Sequence, residues 1–216
     1  AVDHLARKDK KLAAAMQAIG PVRREVMPDL FQALMHAITG QQISMAAQRT
    51  VWGRLCGLLG EVTPQALLAQ PQTALQALGL SARKVDYMRG IARQVVDGEL
   101  DLPGMAALED AEVCRRLAAL RGIGVWTAEM LLLFSLQRPD ILSYDDLAIR
   151  RGLRMLYRHK EMPRERFERY RRRFSPYGSL ASLYLWAIAG GALPELDDPA
   201  ERKKGRSRPA ASLKSR

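Results

Sequence analysis

Apolar residues recur three and four apart along nearly the whole of this 216-residue chain, and nowhere do they alternate with polar ones over the length of a strand. Such a pattern builds amphipathic helices and supplies no half-buried sheet. Leu5, Leu12, Met16 and Ile19 share one helical face that ends at Gly20-Pro21. Asp29–Ile38 and Ser44–Leu59 form two further helices separated by Gly40, with Ser44 as N-cap and Gly60 just past the end. Thr63-Pro64 is a cap followed by proline at the first helical position. Ser81 opens a long amphipathic helix lined by Val85, Met88, Ile91 and Val95, which Gly98 stops. Helices over 109–120, 125–136, 145–157, 163–174 and 176–189 follow. The expected fold class is all-α, about ten helices with short connections.

Charge is concentrated late in the chain. The net charge is +11. Residues 1–149 balance, whereas residues 150–173 carry 11 Lys and Arg against three Glu, and residues 201–216 are again basic. A one-sided basic segment suits a polyanion, although a solvated helix face looks the same in sequence. The Gly, Ser and Pro among the charges of 201–216 predict a flexible tail. No apolar run reaches the ~20 residues of a membrane span. Residues 1–11 are charged, without the apolar core of a signal peptide. Two cysteines, Cys56 and Cys114, cannot build a disulfide framework or a four-ligand metal site. A cytoplasmic protein with reduced thiols is expected.

One stretch carries chemistry: Leu120-Arg121-Gly122-Ile123-Gly124-Val125-Trp126-Thr127-Ala128. Two glycines between helices allow a tight reversal and leave main-chain amides unshielded. The second helix begins at once, so its free N–H groups and positive dipole end face the turn. That is an anion site able to hold a phosphate without reading a base. An ordinary αα-hairpin would look similar, and a G-x-G pattern alone does not separate the two.

With its flanks, Leu120–Ala128 resembles the helix-hairpin-helix of the HhH-GPD DNA glycosylase superfamily, with Arg121 where proline is usual. Three more segments in the same order strengthen the likeness. Ser143–Ile149 is similar to the family's catalytic-aspartate loop, and Asp146 stands 22 residues after Gly124. Gly40-Gln41-Gln42-Ile43-Ser44 resembles an element of the 3-methyladenine glycosylase II (AlkA-type) branch. Pro176–Trp186 resembles that branch's last helix, with Gly178 in place of a common arginine.

The resemblance implies two helical subdomains flanking an active-site cleft, without the additional N-terminal α/β domain of some members. One subdomain would span about 25–140 and contain the hairpin at 109–136. The other would combine the N-terminal helix with 141–195, the helical domain ending near 200. It implies a monofunctional enzyme that flips alkylated bases from duplex DNA and hydrolyses the N-glycosidic bond, acting as a monomer and away from membranes. Asp146 would stabilise an oxocarbenium-like centre or orient water. Adjacent aspartates on a helix diverge by about 100°, so only one can face a pocket, and Asp145 is expected to cap the helix. Trp126, Trp186, Met130 and Leu147 would form the base pocket, the indole faces suiting a cationic base. Arg121, Gly122, Ile123, Gly124, Val125 and Thr127 would hold the DNA strand. Gln41, Gln42 and Ile43 would fill the gap left by the extruded base, with Gln42 at the tip. Trp126 stands where lyase-active members carry a Schiff-base lysine. Two cysteines are too few for the family's four-cysteine iron–sulfur cluster. A sodium or potassium ion at the carbonyls of Leu120 and Ile123 is also implied, and no other cofactor. The competing expectation is a non-catalytic helix-hairpin-helix module that binds DNA or senses lesions, which would need the hairpin and the basic stretch but not Asp146.

Overall fold

The computed structural model describes residues 1–201, and most of the basic tail expected at 201–216 lies outside them. Twelve α-helices and one 3-10 turn (Pro103–Ala107) occur among the described residues, with no strand. They are α1 (Val2–Lys8), α2 (Lys10–Ile19), α3 (Leu30–Gly40), α4 (Met45–Leu59), α5 (Pro64–Ala69) and α6 (Gln72–Ala77). Then come α7 (Ala82–Val96), α8 (Asp110–Ala118), α9 (Val125–Phe134), α10 (Leu147–Tyr157), α11 (Arg164–Phe174) and α12 (Gly178–Ala189). None is long and apolar enough to cross a membrane.

Local chemistry sets the boundaries. The side chains of Asp29, Ser44, Thr63 and Ser81 each accept the amide three residues on, starting α3, α4, α5 and α7. The N-terminal apolar stripe, expected as one helix, is two. Asp9 takes an extended conformation and its carboxylate accepts from the amides of Lys11 and Leu12, ending α1 and capping α2. Arg173 of α11 donates to the other Asp9 oxygen at 2.9 Å, so the break also ties the N-terminus to α11.

The buried side chains fall into two clusters. The first belongs to α3–α9 and includes Leu34, Met35, Ile38, Leu55, Leu75, Met88 and Leu132. The second joins α1 and α2 to α10–α12 through Leu5, Leu12, Ile149, Leu153, Phe167, Phe174 and Leu185. Truncating any of these to alanine costs about 2–5 kcal/mol. Gly152 of α10 lies so close to the Leu185 carbonyl of α12 that a Cβ would collide with main chain. This contact locks α10, and the aspartate at its start, against α12. Trp186 packs on both clusters, at the seam between them.

Candidate active site

Asp146 is the N-cap of α10, and its Oδ1 accepts from the Ile149 amide at 2.8 Å. Asp145, expected to be the cap, is instead exposed. The helix starts one residue later than the sequence pattern suggested, which moves capping to the second aspartate. Capping uses only part of the carboxylate. Trp126 Nε1, from α9, donates to Oδ2 at 3.0 Å, and Trp186 Nε1, from α12, donates to Oδ1 at 3.1 Å. Three donors from three helices thus fix a carboxylate that is only 7% exposed. Charge-assisted bonds of this kind each contribute about 1.5–3 kcal/mol. The carboxylate sits at the N-terminal, positive end of α10.

The surroundings are apolar and open. Leu147 is 74% exposed and Trp126 46% exposed, unusual for large apolar side chains beside a buried carboxylate. Trp186 stacks one face on Phe134, with centroids 5.6 Å apart and planes 15° from parallel. Phe134 was not anticipated. It lies two helical turns from Trp126, and the i, i+4, i+8 spacing of Trp126, Met130 and Phe134 was the available signal. On the far side of the loop, the Tyr144 ring lies between the guanidiniums of Arg150 and Arg164, 4.9 and 5.0 Å away, and meets Phe167 edge-on. This packing fastens the segment preceding Asp146 to α10 and α11.

The hairpin adjoins this site. Gly122 has φ +90, and a Cβ there would strike the Tyr87 ring of α7. Gly124, by contrast, has φ −93 and open space where a side chain would be. No side chain caps α9. The first amides of α9 therefore face outward past a bare glycine, the arrangement an anion needs. Ile123 is buried, so its side chain holds the turn in the core and only its main chain reaches the surface. Val125 is exposed, and the Arg121 guanidinium lies 5.8 Å over the Tyr87 ring.

A cleft of about 710 Å³ separates the hairpin from the Gln41–Gln42 loop; Trp126, Thr127 and Met130 form one wall. The two glutamines do different things. Gln41 Nε2 donates to the Gly122 carbonyl at 2.7 Å and braces the hairpin across the cleft. Gln42 is exposed, at φ +57, and Ile43 beside it is also exposed. Arg83, Lys84 and Tyr87 of α7 complete the lining. Lys84 Nζ donates to the Thr39 carbonyl at 2.9 Å, and partial burial lowers its pKa. Sequence reasoning missed these three; only the basic pair just after the Ser81 cap hinted at them.

Five of the ten arginines at 150–173 are paired with carboxylates of the same chain. Arg151 and Arg154 pair with Asp198, Arg169 with Glu165, Arg171 with Glu168 and Arg173 with Asp9. Among the described residues, Arg150 and Arg164 enter no ion pair and lie on Tyr144 instead. Glu129 of α9 faces this side. Burial raises its pKa, Asp145 adds to the rise, and Ser143, Arg164 and Arg171 oppose it. No cluster of metal-ligating side chains occurs among the described residues, and Cys56 and Cys114 are free and half-buried.

Comparison with known proteins agrees with this geometry. Residues 35–176 match the family described as HhH-GPD superfamily base excision DNA repair protein. The chain is 30% identical over 209 residues to DNA-3-methyladenine glycosylase 1 of Schizosaccharomyces pombe, covering 93% of this chain and 91% of that protein. A DNA-3-methyladenine glycosidase from Bacillus halodurans superimposes with a TM-score of 0.82 at 34% identity, covering 90% of this chain and 91% of that one. A Schizosaccharomyces pombe 3-methyladenine DNA glycosylase in complex with abasic DNA gives a TM-score of 0.74 at 30% identity, covering 86% and 94%. By motif, fold and overall similarity, the chain belongs to the HhH-GPD superfamily of base excision DNA repair proteins.

Proposed function

We propose that this protein is a monofunctional DNA-3-methyladenine glycosylase of the AlkA type, which extrudes alkylated bases from duplex DNA and hydrolyses their N-glycosidic bonds, leaving an abasic site. Two of the relatives named above are called 3-methyladenine DNA glycosylases. The observation that carries the reading is the Asp146 carboxylate, held by two indole N–H groups and a helix N-terminus beside the cleft that the hairpin borders.

In this reading the hairpin amides hold a phosphate of the damaged strand, and Gln42, with Ile43, occupies the gap in the stack. The base leaves the duplex toward Trp126, Met130, Leu147 and Trp186. As the bond between base and sugar lengthens, positive charge develops on the anomeric carbon. The fixed negative charge of Asp146 stabilises it or orients the attacking water, with no reorganisation at that moment. N-alkylated purines depart readily because the ring is already positive, so no strong general acid is required. Trp126 in place of a lysine leaves no amine for a Schiff base, which makes simple hydrolysis the outcome. Hydrolysis changes no oxidation state, so the reading calls for no redox centre.

A sodium or potassium ion fits the turn. Among the described residues the Ile123 carbonyl accepts no hydrogen bond, and that of Leu120 accepts only the Ile123 amide, leaving at least one lone pair on each. These two carbonyls would hold the ion, which would supply local positive charge for the phosphate.

The test is release of free base from randomly methylated DNA, identified by mass spectrometry. The native protein should release alkylated purines. Asp146→Asn should lower the single-turnover rate by on the order of a hundred-fold or more while still binding DNA. Retention of most activity by that variant would refute the assigned role. Tight DNA binding by the native protein with no released base would favour a lesion-sensing module.

A further inference from the structure

A helix cannot satisfy the carbonyls of its own last turn, and α3 ends directly before the loop that carries Gln42. Two of these carbonyls are met locally: the Gln41 amide donates to that of Ile38, and the Ile43 amide to that of Gly40. The Thr39 carbonyl finds its partner 45 residues away, in Lys84 Nζ of α7 at 2.9 Å. Thr39 is fully buried, and its hydroxyl donates to the Met35 carbonyl, so the residue is fixed within the helix. Gln48 of α4 fills the space where a Gly40 side chain would stand, and donates to the His36 carbonyl at 3.0 Å. The chain therefore leaves α3 through a closely packed exit.

Lys84 is half-buried on the wall of the 710 Å³ cleft. None of the residues lining that cleft is acidic, and among the described residues Lys84 enters no ion pair. Its ammonium is met instead by the C-terminal end of α3, where the unpaired carbonyls carry the negative end of the helix dipole. The loop after α3 is thus tied on two sides, by Lys84 at the last helical turn and by Gln41 on the Gly122 carbonyl. Beside these ties Gln42 stands exposed at φ +57. A residue with a side chain holds that left-handed conformation only where its surroundings impose it.

We infer that Lys84 is a positioning residue for base extrusion: its ammonium, bonded to the Thr39 carbonyl, fixes the direction in which Gln42 leaves the end of α3. The inference rests on the glycosylase reading above and deepens it by naming what aims the side chain that fills the gap in the stack. A loop that samples many directions must be ordered at the moment of insertion, and that ordering opposes the extruded state. A loop already held in one direction avoids that cost. Lys84 acts through Gln42 and the carbonyl beneath it, and is not itself the contact to the strand.

Two measurements test it, one of them free of any activity. A nitroxide is attached at Gln42→Cys in protein that also carries Cys56→Ser and Cys114→Ser, and its spectrum is recorded without DNA. With Lys84 present the label should be strongly immobilised; Lys84→Met, shown to be folded by thermal melting, should narrow the lines. On duplexes containing 7-methylguanine, Lys84→Met in the otherwise native chain should lower the saturating single-turnover rate of base release by about ten-fold or more, the size of a lost charge-assisted hydrogen bond. The half-saturating concentration should stay within about two- or three-fold, and the slope of log affinity against log salt should not change. Lys84→Gln, a neutral donor on a shorter stem, should fall between the two and replaces the methionine variant if that one does not fold. An unchanged label spectrum or an unchanged release rate would overturn the proposal. So would a slope lowered by about one, which would make Lys84 a phosphate contact. If the native protein releases no base, the glycosylase reading fails by itself, and the label spectrum still decides whether Lys84 holds the loop.

Discussion

The hairpin between α8 and α9 and the arginine-rich stretch through α10 and α11 both look like DNA-binding elements in sequence, yet they are built in opposite ways. The hairpin carries a single charged side chain in its turn, Arg121, and leaves its helix-start amides facing outward past Gly124. The basic stretch carries 11 cationic side chains, and those of Arg151, Arg154, Arg169, Arg171 and Arg173 are spent on carboxylates of the same chain. Charge density in a sequence counts groups. What grips a strand is charge, or oriented dipole, that the fold has left without a partner. By that measure the hairpin is the anion site in the proposed reading, and five arginines of the basic stretch serve as scaffold.

The largest expected effect separates chemistry from grip. Asp146→Asn should abolish most base release in single-turnover assays yet leave the affinity for lesion-containing duplex within about two- or three-fold, because the carboxylate touches no phosphate in this reading. A comparable loss of binding would mean that Asp146 belongs to the grip. Next comes the hairpin. Gly122→Ala places a Cβ against Tyr87 at a positive φ, costing about 1–3 kcal/mol and displacing the turn. DNA affinity measured by fluorescence anisotropy should fall about ten-fold or more. Gln41→Ala, which removes the brace on the Gly122 carbonyl, should cost about 1 kcal/mol and weaken DNA binding less than Gly122→Ala does.

Against these, Arg169→Gln and Arg171→Gln should each change stability by less than about 1 kcal/mol, since both belong to exposed i,i+4 or i,i+3 pairs. Neither should alter the slope of log affinity against log salt, whereas each lost phosphate contact lowers it by about one. A clear drop in slope for either variant would reverse the contrast between the two regions. The smallest effect concerns pH. Burial holds the Glu129 pKa above its ordinary value of 4.5 in the folded protein. Its contribution to stability is therefore complete below the unfolded-state value and declines as pH rises through the higher folded value. Glu129→Gln should flatten that decline, so melting temperatures of variant and native protein should diverge as pH rises above the ordinary value of 4.5.

Much of this molecule is legible in the sequence because its signals are local. The Ser44, Thr63 and Ser81 caps and the glycine turn at 122 act within a few residues, and the chain alone specifies them. The departures have equally physical causes. Asp9 breaks the first helix because its carboxylate satisfies two amides and also meets Arg173, 164 residues away. Asp146 rather than Asp145 caps α10, since one residue of phase decides which carboxylate lies under the helix, and side chains from α9 and α12 fix that phase. The engagement of Gln41 with Gly122, 81 residues apart, leaves Gln42 alone at the tip of the loop.

By itself the sequence determined an all-helical chain, the place of its glycine hairpin and the aspartate beside it, because periodicity and turn chemistry act over one or two turns of helix. Only the tertiary structure decided that Trp126 and Trp186 converge on Asp146 and which arginines are already paired. Those are matters of distance between elements far apart in the chain, and distance is set by how two apolar cores pack.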